Sequence, residues 1–206
     1  QIQAGAFAYA SHSIDDAQGN NNGKANPGET ISLTLALQNV SENTVSNATI
    51  VLSSDDQYVT ITENTTTIAS AMPNETVTLN DAFAFTVADN APAQHSVRFS
   101  AETFINGESD GKVNFTEMIC DYNLTLGATV ILNDDNDNGL LEPGENADLR
   151  ILIDNTGNEL AQSVTGLLST DYQYATLNET EKSFSTIGAE MMGFADYNIT
   201  LDAAAP

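Results

Sequence analysis

The stretch at residues 134–145 has the residue types and the spacing of a calcium-binding loop. It fits the pattern D-x-[DN]-x-[DN]-G-x5-E at every specified position. A calcium ion takes about six to eight oxygen ligands at about 2.3–2.6 Å, and alternate residues of a tight loop can converge on such a point. We therefore predict Ca²⁺ binding here. The expected ligands are Asp134, Asn136, Asn138, the carbonyl oxygen of Leu140, and Glu145.

A second copy of this loop lies 116 residues earlier, at residues 18–29. It keeps the central glycine, the two alternating asparagines and the closing Pro-Gly-Glu. Gln18 stands where the pattern requires an aspartate, which weakens the prediction of Ca²⁺ in this copy. For both loops the alternative is a solvated turn whose glycines and proline only set the backbone geometry. The expected oxygen donors of the first copy are Asp15, Asp16, Asn20, Asn22 and Glu29.

Each loop runs into an alternating apolar strand, and the two strands repeat with the same offset. Apolar side chains alternate with polar ones at residues 31–37, and again at residues 147–153. Period two indicates a strand with one buried face. The segment SSDDQY at residues 53–58 also reappears as STDYQY at residues 169–174. These matches predict two copies of one domain, at residues 1–119 and 120–206.

The rest of the chain consists of short apolar stretches separated by turn signals about every 8–12 residues, a pattern typical of immunoglobulin-type sandwiches. No segment has a sustained helical period. We therefore predict an all-β chain of two tandem immunoglobulin-like antiparallel β-sandwiches. The second copy has no counterpart of the strands predicted at residues 97–103 and 113–119, so we expect it to be incomplete. Either the natural chain continues for about 25 residues, or another molecule donates the missing strands.

Composition excludes several classes of function. The chain has 29 acidic and five basic residues, a formal net charge of −24. Nucleic-acid binding needs a basic surface that this sequence lacks, and the same charge disfavours an anionic membrane surface. No apolar run approaches the roughly 18 residues that a membrane-spanning helix needs. The single cysteine, Cys120, rules out an intrachain disulfide bond.

The sequence gives little support to catalysis. His12 and His95 are the only histidines, and neither lies in a recognisable catalytic motif. No G-x-S-x-G or similar nucleophile context is present, and the adjacent Asp55 and Asp56 should point to opposite faces of a strand. We therefore expect a protein without enzymatic activity. A glycan-binding platform would depend on Tyr58, Tyr172 and Tyr174, because the chain has no tryptophan.

The order of these features resembles a known family. A loop rich in Asp, Asn and Gly, then Pro-Gly-Glu, an alternating strand, Asn, and a Ser-Ser-Asp-x-Gln-Tyr-like segment is similar to immunoglobulin-like repeats of large secreted and cell-surface proteins of Bacteroidota. Such repeats occur in adhesins exported by type IX secretion and beside gingipain-like proteases. The resemblance implies an extracellular setting and a longer parent protein. The expected partners are neighbouring domains, other copies of the chain, or a surface ligand such as a glycan.

We therefore expect a structural or adhesive segment that calcium makes rigid. Two alternatives stay open: an accessory carbohydrate- or protein-binding module of a secreted hydrolase, and the repeating subunit of an extracellular filament.

Overall fold

The computed structural model describes residues 5–206, which form antiparallel strands and the turns between them, with no helix. The prediction of an all-β chain is confirmed. The chain divides into two compact units, Gln1–Cys120 and Asp121–Pro206, called unit 1 and unit 2 below. The strands of unit 1 are β1 (Phe7–Asp15), β2 (Thr30–Asn39), β3 (Val45–Ser53), β4 (Val59–Glu63), β5 (Thr65–Ala71), β6 (Thr76–Val87), β7 (Ser96–Ile105) and β8 (Glu108–Met118). The strands of unit 2 are β9 (Leu124–Leu132), β10 (Asn146–Asn155), β11 (Ala161–Leu167), β12 (Ala175–Leu177), β13 (Glu181–Ile187) and β14 (Met192–Leu201).

Unit 1 has two four-stranded antiparallel sheets with one shared core. The strand orders are β1-β2-β6-β4 and β5-β3-β7-β8. The central strand β2 faces this core on one side. Its side chains Leu33, Leu35 and Leu37 are 0% exposed, while the polar side chains of Ser32 and Thr34, at alternate positions, are half-buried. Each fully buried leucine contributes about 2 kcal/mol of transfer free energy. The alternation of Phe83, Phe85 and Val87 predicts inward positions for all three, and their burial confirms it.

Unit 2 repeats six of these strands in the same order along the chain. Its four-stranded sheet has the order β12-β14-β10-β9, and β11 pairs with β13 in a two-stranded sheet. Among the described residues, no strand corresponds to β7 or β8. The buried core of unit 2 consists of Phe184, Ile187, Ala195 and Tyr197.

A bulge in β6 changes the sequence offset between equivalent residues of the two units from 116 to 114. The pairing of β6 with β2 shifts register between Leu33 and Leu35, where β6 carries two additional residues. β14 pairs with β10 without such a shift. The offset is therefore 116 residues for Leu79 and Ala195, but 114 for Phe83 and Tyr197.

Two predicted boundaries differ from the observed ones. The small residues around Phe7 and Tyr9 predict a strand over residues 2–14; it is observed as β1, which begins at Phe7, and residues 1–4 lie outside the described residues. The residue types at 106–111 predict a hairpin-like turn over that stretch; the observed turn consists of Asn106 and Gly107 alone, both with positive φ (54° and 82°). Positive φ at both central residues matches the twist of a two-residue hairpin, so β7 and β8 run on to this turn. Within residues 5–206, no helix is long and apolar enough to cross a membrane.

Candidate metal centre

The loop between β9 and β10 in unit 2 is organised around one buried carboxylate. Asp134 is 7% exposed. Its carboxylate accepts hydrogen bonds from the backbone N–H groups of Asn138, at 2.8 Å, and Gly139, at 3.3 Å. Asp137 and Gly139 have φ values of 61° and 77°. The left-handed conformation at Gly139 explains the glycine there, since most other residues adopt it at a cost.

Two glutamates converge on the side-chain amides of the same loop. Nδ2 of Asn136 donates to Glu142 Oε2 at 2.8 Å and to Glu145 Oε1 at 2.6 Å. Nδ2 of Asn138 donates to Glu142 Oε2 at 2.9 Å. The second oxygen of Glu145, a residue 9% exposed, accepts the backbone N–H of Glu142 at 2.9 Å. The carboxylates of Glu142 and Glu145 are thus held within hydrogen-bonding reach of one amide nitrogen.

The donor set fits a hard cation in its chemistry but not in its present orientation. Carboxylate and amide oxygens are the ligands that Ca²⁺ prefers, yet Asn136 and Asn138 turn nitrogen atoms towards the carboxylates. Their Oδ1 atoms accept backbone N–H groups instead, that of Leu140 at 2.7 Å in the case of Asn138. Rotating the side-chain amides of Asn136 and Asn138 by half a turn would point their Oδ1 atoms, instead of Nδ2, towards the carboxylates. Within residues 5–206, no group of three or more His, Cys, Asp or Glu side chains has the spacing of metal ligands.

The loop between β1 and β2 in unit 1 has the same network. The carboxylate of Asp16, 2% exposed, accepts the N–H groups of Asn22, at 2.7 Å, and Gly23, at 3.1 Å. Glu29 accepts the N–H groups of Asn20, at 2.9 Å, and Asn26, at 3.1 Å. The side-chain nitrogens of Asn20 and Asn22 both donate to Oδ1 of Asn26. The positive φ values of Asn21 and Gly23 match those of Asp137 and Gly139.

Asp16, one of the donors predicted to compensate for Gln18, occupies the place of the first aspartate. Asp16 holds Asn22 and Gly23 as Asp134 holds Asn138 and Gly139. The first loop has two more residues between this aspartate and the asparagine it binds, so Asp16 does not lie 116 residues before Asp134. Asp15, also a predicted donor, accepts the N–H of Ala17 at 2.8 Å instead of the N–H groups bound by Asp16.

Asn26 and Glu142 are equivalent members of the two networks that sequence analysis missed. They lie at the same offset of 116 residues and occupy the ninth position of each loop, which the calcium pattern leaves unspecified. In calcium loops this position often acts through a water molecule. Because one loop has glutamate and the other asparagine, unit 2 brings three carboxylates to its loop and unit 1 brings two. That difference predicts tighter cation binding in unit 2.

An amide network fixes the unit 2 loop to its sheet. Asn146, the first residue of β10, donates its N–H to Asp135 at 3.1 Å. Asn133, just after β9, donates to Asp148 at 2.8 Å, and Asn198 on β14 donates to the other oxygen of Asp148 at 3.0 Å. These two hydrogen bonds hold the pKa of the Asp148 carboxyl below its usual range. Both ends of the loop are therefore fixed to strands of the four-stranded sheet.

The two histidines contact different residues of unit 1. His12 contacts the hydroxyl of Tyr9 at 2.7 Å and Glu117 at 3.1 Å. His95 lies 2.7 Å from Asp56, across 39 positions of sequence, and its ring packs edge-on against another aromatic side chain. Cys120 is half-buried, with its sulfur 3.8 Å from the carbonyl oxygen of Met118. Each histidine thus holds a strand or loop of unit 1 in place through these contacts.

Unit 1 also has an open groove of about 530 Å³ on the outer face of β3, β7 and β8. Two of the chain's five basic residues, Arg98 and Lys112, line it, and Lys112 forms an ion pair with Glu102 at 3.0 Å. None of the tyrosines considered for glycan binding lines the groove, although the backbone N–H of Tyr58 donates to Asp56 at 2.9 Å. Tyr172 and Tyr174 pack edge to face in unit 2 with ring centroids 5.5 Å apart. The full lining of the groove is Ser53, Ser54, Asp55, Asp56, Ser96, Arg98, Phe99, Ser100, Lys112 and Asn114.

The chain matches no protein-family model, and no curated protein matches it.

Proposed function

We propose that this chain is a non-catalytic structural or adhesive segment of an extracellular or cell-surface protein, made of two tandem immunoglobulin-like β-sandwiches. The observation that carries the proposal is that both units have the same hydrogen-bonded loop, in each case between the first two strands of the unit. Asp16 and Glu29 anchor the first network, and Asp134 and Glu145 the second. Serial copies of a unit that differ in surface but share internal supports are typical of stalks and adhesive arrays.

A second repeated support favours the same interpretation. Asn39 and Asn155 are 0% and 1% exposed. Nδ2 of Asn39 donates to the carbonyl oxygens of Asn43 and Ala71, both at 2.9 Å. Nδ2 of Asn155 donates to the carbonyl oxygens at the two corresponding positions, at 2.7 and 3.2 Å. Buried amides of this kind fix a turn against a strand, so the repeat preserves rigidity and not a reactive group.

Calcium is the proposed stabiliser of the two loops. Asp134, Asn136, Asn138, Glu142 and Glu145 would hold the ion in unit 2, and the weaker site in unit 1 would use Asp16, Asn20, Asn22 and Glu29. Extracellular calcium modules bind with dissociation constants of about 10⁻⁴–10⁻³ M. A net charge of −24 suits that setting, because salt and divalent cations screen the self-repulsion.

Isothermal titration calorimetry of the full chain with CaCl₂ tests the calcium role. We expect saturable heats of binding from the unit 2 site that Glu145→Gln abolishes, and weaker Ca²⁺ binding at the unit 1 site that Glu29→Gln removes. Glu181→Gln serves as the matched control, since Glu181 is exposed on β13 and belongs to neither loop. Saturable binding that survives Glu145→Gln unchanged would refute the assignment of the ion to this loop.

The second candidate function is an accessory carbohydrate- or protein-binding module. The groove on β3, β7 and β8 favours it, because serine hydroxyls, Asn114 and Arg98 offer hydrogen-bond donors on one face. Arrays of immobilised glycans decide between the two. Binding that Arg98→Ala removes and Arg150→Ala leaves intact would support the module, and no binding by the wild-type chain favours the structural segment. The filament subunit is the third alternative, and concentration-dependent assembly in sedimentation experiments would support it.

A further inference from the structure

β11 of unit 2 has an edge without a described partner strand. In unit 1 the equivalent strand β3 lies between β5 and β7. β11 pairs with β13, the equivalent of β5, and within residues 5–206 it pairs with no other strand. Leu167, beside this edge, is 78% exposed. Unpaired N–H and C=O groups along the edge of a strand are a template for another strand.

The core face of unit 2 is open where that of unit 1 is closed. Leu33 and Leu149 occupy equivalent positions on β2 and β10, and both strands are paired on each side. Leu33 is fully buried, whereas Leu149 is partly exposed. Leu126 on β9 is 69% exposed, and its equivalent in unit 1, Tyr9, is 40% exposed. The sheets are alike, so the difference lies in what covers them.

In unit 1 the cover consists of two aromatic side chains from β7 and β8. Phe99 on β7 lies 5.0 Å from Phe85, measured between ring centroids, and 5.4 Å from Phe115 on β8. Phe115 in turn stacks on Tyr9 at 5.8 Å. The β7–β8 hairpin therefore closes the core and also extends the sheet beside β3.

The last residues of unit 2 follow the path that leads to β7 in unit 1. Asp202 donates its N–H to the carbonyl oxygen of Tyr174 at 2.8 Å, as Ala88 does to that of Tyr58 at 2.8 Å. Ala205 then donates to Asp202 at 3.0 Å, as Ala91 does to Ala88 at 3.0 Å. A strand joined through this connection reaches the open edge of β11 without crossing another strand.

We propose that the open face of unit 2 is the docking site for a β-hairpin joined covalently at Pro206, with its first strand antiparallel to β11. Both strands of the hairpin place apolar, preferably aromatic, side chains over Leu126 and Leu149. This inference deepens the proposed function, since it rests on the two-unit plan, but it does not depend on calcium.

The test extends the full chain after Pro206 with a second copy of its own residues 93–119. We expect several-fold lower fluorescence of a dye that binds exposed apolar surface, and slower amide exchange along β11, than in the unextended chain. The matched control carries Phe99→Asp and Phe115→Asp in the appended copy, and it should resemble the unextended chain. Dye fluorescence as high in the extended chain as in its control would overturn the proposal, and so would weak dye binding with protected β11 amides in the unextended chain.

A disulfide bond tests the register. Val51 of β3 pairs with Glu102 of β7, so Leu167→Cys should cross-link within one molecule to Glu102→Cys in the appended copy, in a Cys120→Ser background. Leu168→Cys, one position along, should cross-link at least several-fold less, because its side chain points to the other face. Equal cross-linking from both positions, cross-links only between molecules, or a dimer of the unextended chain that binds no dye would overturn the proposal. These readouts are unchanged by Glu145→Gln, so failure of the calcium role is scored separately.

Discussion

Replacing one leucine in each unit by alanine should destabilise the two units by very different amounts. Leu33 and Leu149 are the same residue type at equivalent positions, each opposite an apolar residue of the neighbouring strands. Leu33→Ala removes three buried carbon atoms, worth roughly 2.4 kcal/mol at about 0.8 kcal/mol each. It also leaves a cavity in a closed core, for a total of about 3–4 kcal/mol. Leu149 is partly exposed, and its site opens to solvent, so Leu149→Ala should cost only about 1–1.5 kcal/mol.

Hydrogen–deuterium exchange read by mass spectrometry is the suitable assay, because its peptides report the opening free energy of each unit separately. A single melting curve of two units would not define one free energy of unfolding. Ser32→Ala, on the outer face of β2, should change the stability of unit 1 by no more than about 0.5 kcal/mol. Losses for Leu33→Ala and Leu149→Ala that agree within about 0.5 kcal/mol would refute the reasoning that the core of unit 2 is open.

Three further outcomes are expected. Asn39→Ala and Asn155→Ala should each destabilise their own unit by about 2–3 kcal/mol in the same exchange experiment, because buried carbonyl groups lose their donors; a loss below about 0.5 kcal/mol in both would contradict this. Hydrogen bonds from Arg150 lower the pKa of the Asp196 carboxyl, so its contribution to stability is present above the unfolded pKa and is lost as pH falls through the folded pKa. Asp196→Asn should therefore flatten the acid limb of the unit 2 stability curve in pH-dependent unfolding, and an unaltered limb would count against this ion pair. Burial raises the pKa of the Asp121 carboxyl, so its charged form disfavours the fold once pH rises through that raised pKa, and Asp121→Asn should stabilise unit 2 at neutral pH but not in acid.

The sequence was most informative where the side-chain period was strict. The alternation of Leu33, Leu35 and Leu37 predicted a strand with one buried face, and these side chains are fully buried. Period two carries this information because a strand that slips by one residue exposes its whole apolar face. The same pattern at Leu149 and Ile151 predicted the strand but not its exposure, which depends on distant strands that the local pattern does not describe.

The loops were less predictable because no period fixes their alignment. A constant offset made Gln18 the counterpart of Asp134, whereas two additional residues place Asp16 in that role. Glu142 occupies a position that the calcium pattern leaves free, so only the contacts with Asn136 and Asn138 reveal it. Contacts between residues far apart in the sequence could not be predicted either, because no local pattern describes them.

The contact between His95 and Asp56 joins residues 39 positions apart in the sequence. Such a pair depends on how β3 and β7 align, and β-pairing across long loops is set by tertiary packing. The stacking of Tyr9 on Phe115 likewise depends on how β1 and β8 approach each other. Neither could be read from residue types alone.

The most direct test of the central claim is the thermal unfolding of the full chain in excess CaCl₂ and in excess chelator, with bound ions counted by native mass spectrometry. A ligand that binds only the folded state at about 100 times its dissociation constant adds about 2.7 kcal/mol. We therefore predict at least one bound ion and a transition whose midpoint is higher in calcium than in chelator. Glu145→Gln should reduce the midpoint shift and bind one ion fewer than the wild-type chain, and Glu181→Gln should change neither. An unchanged midpoint together with no bound ion would contradict the account.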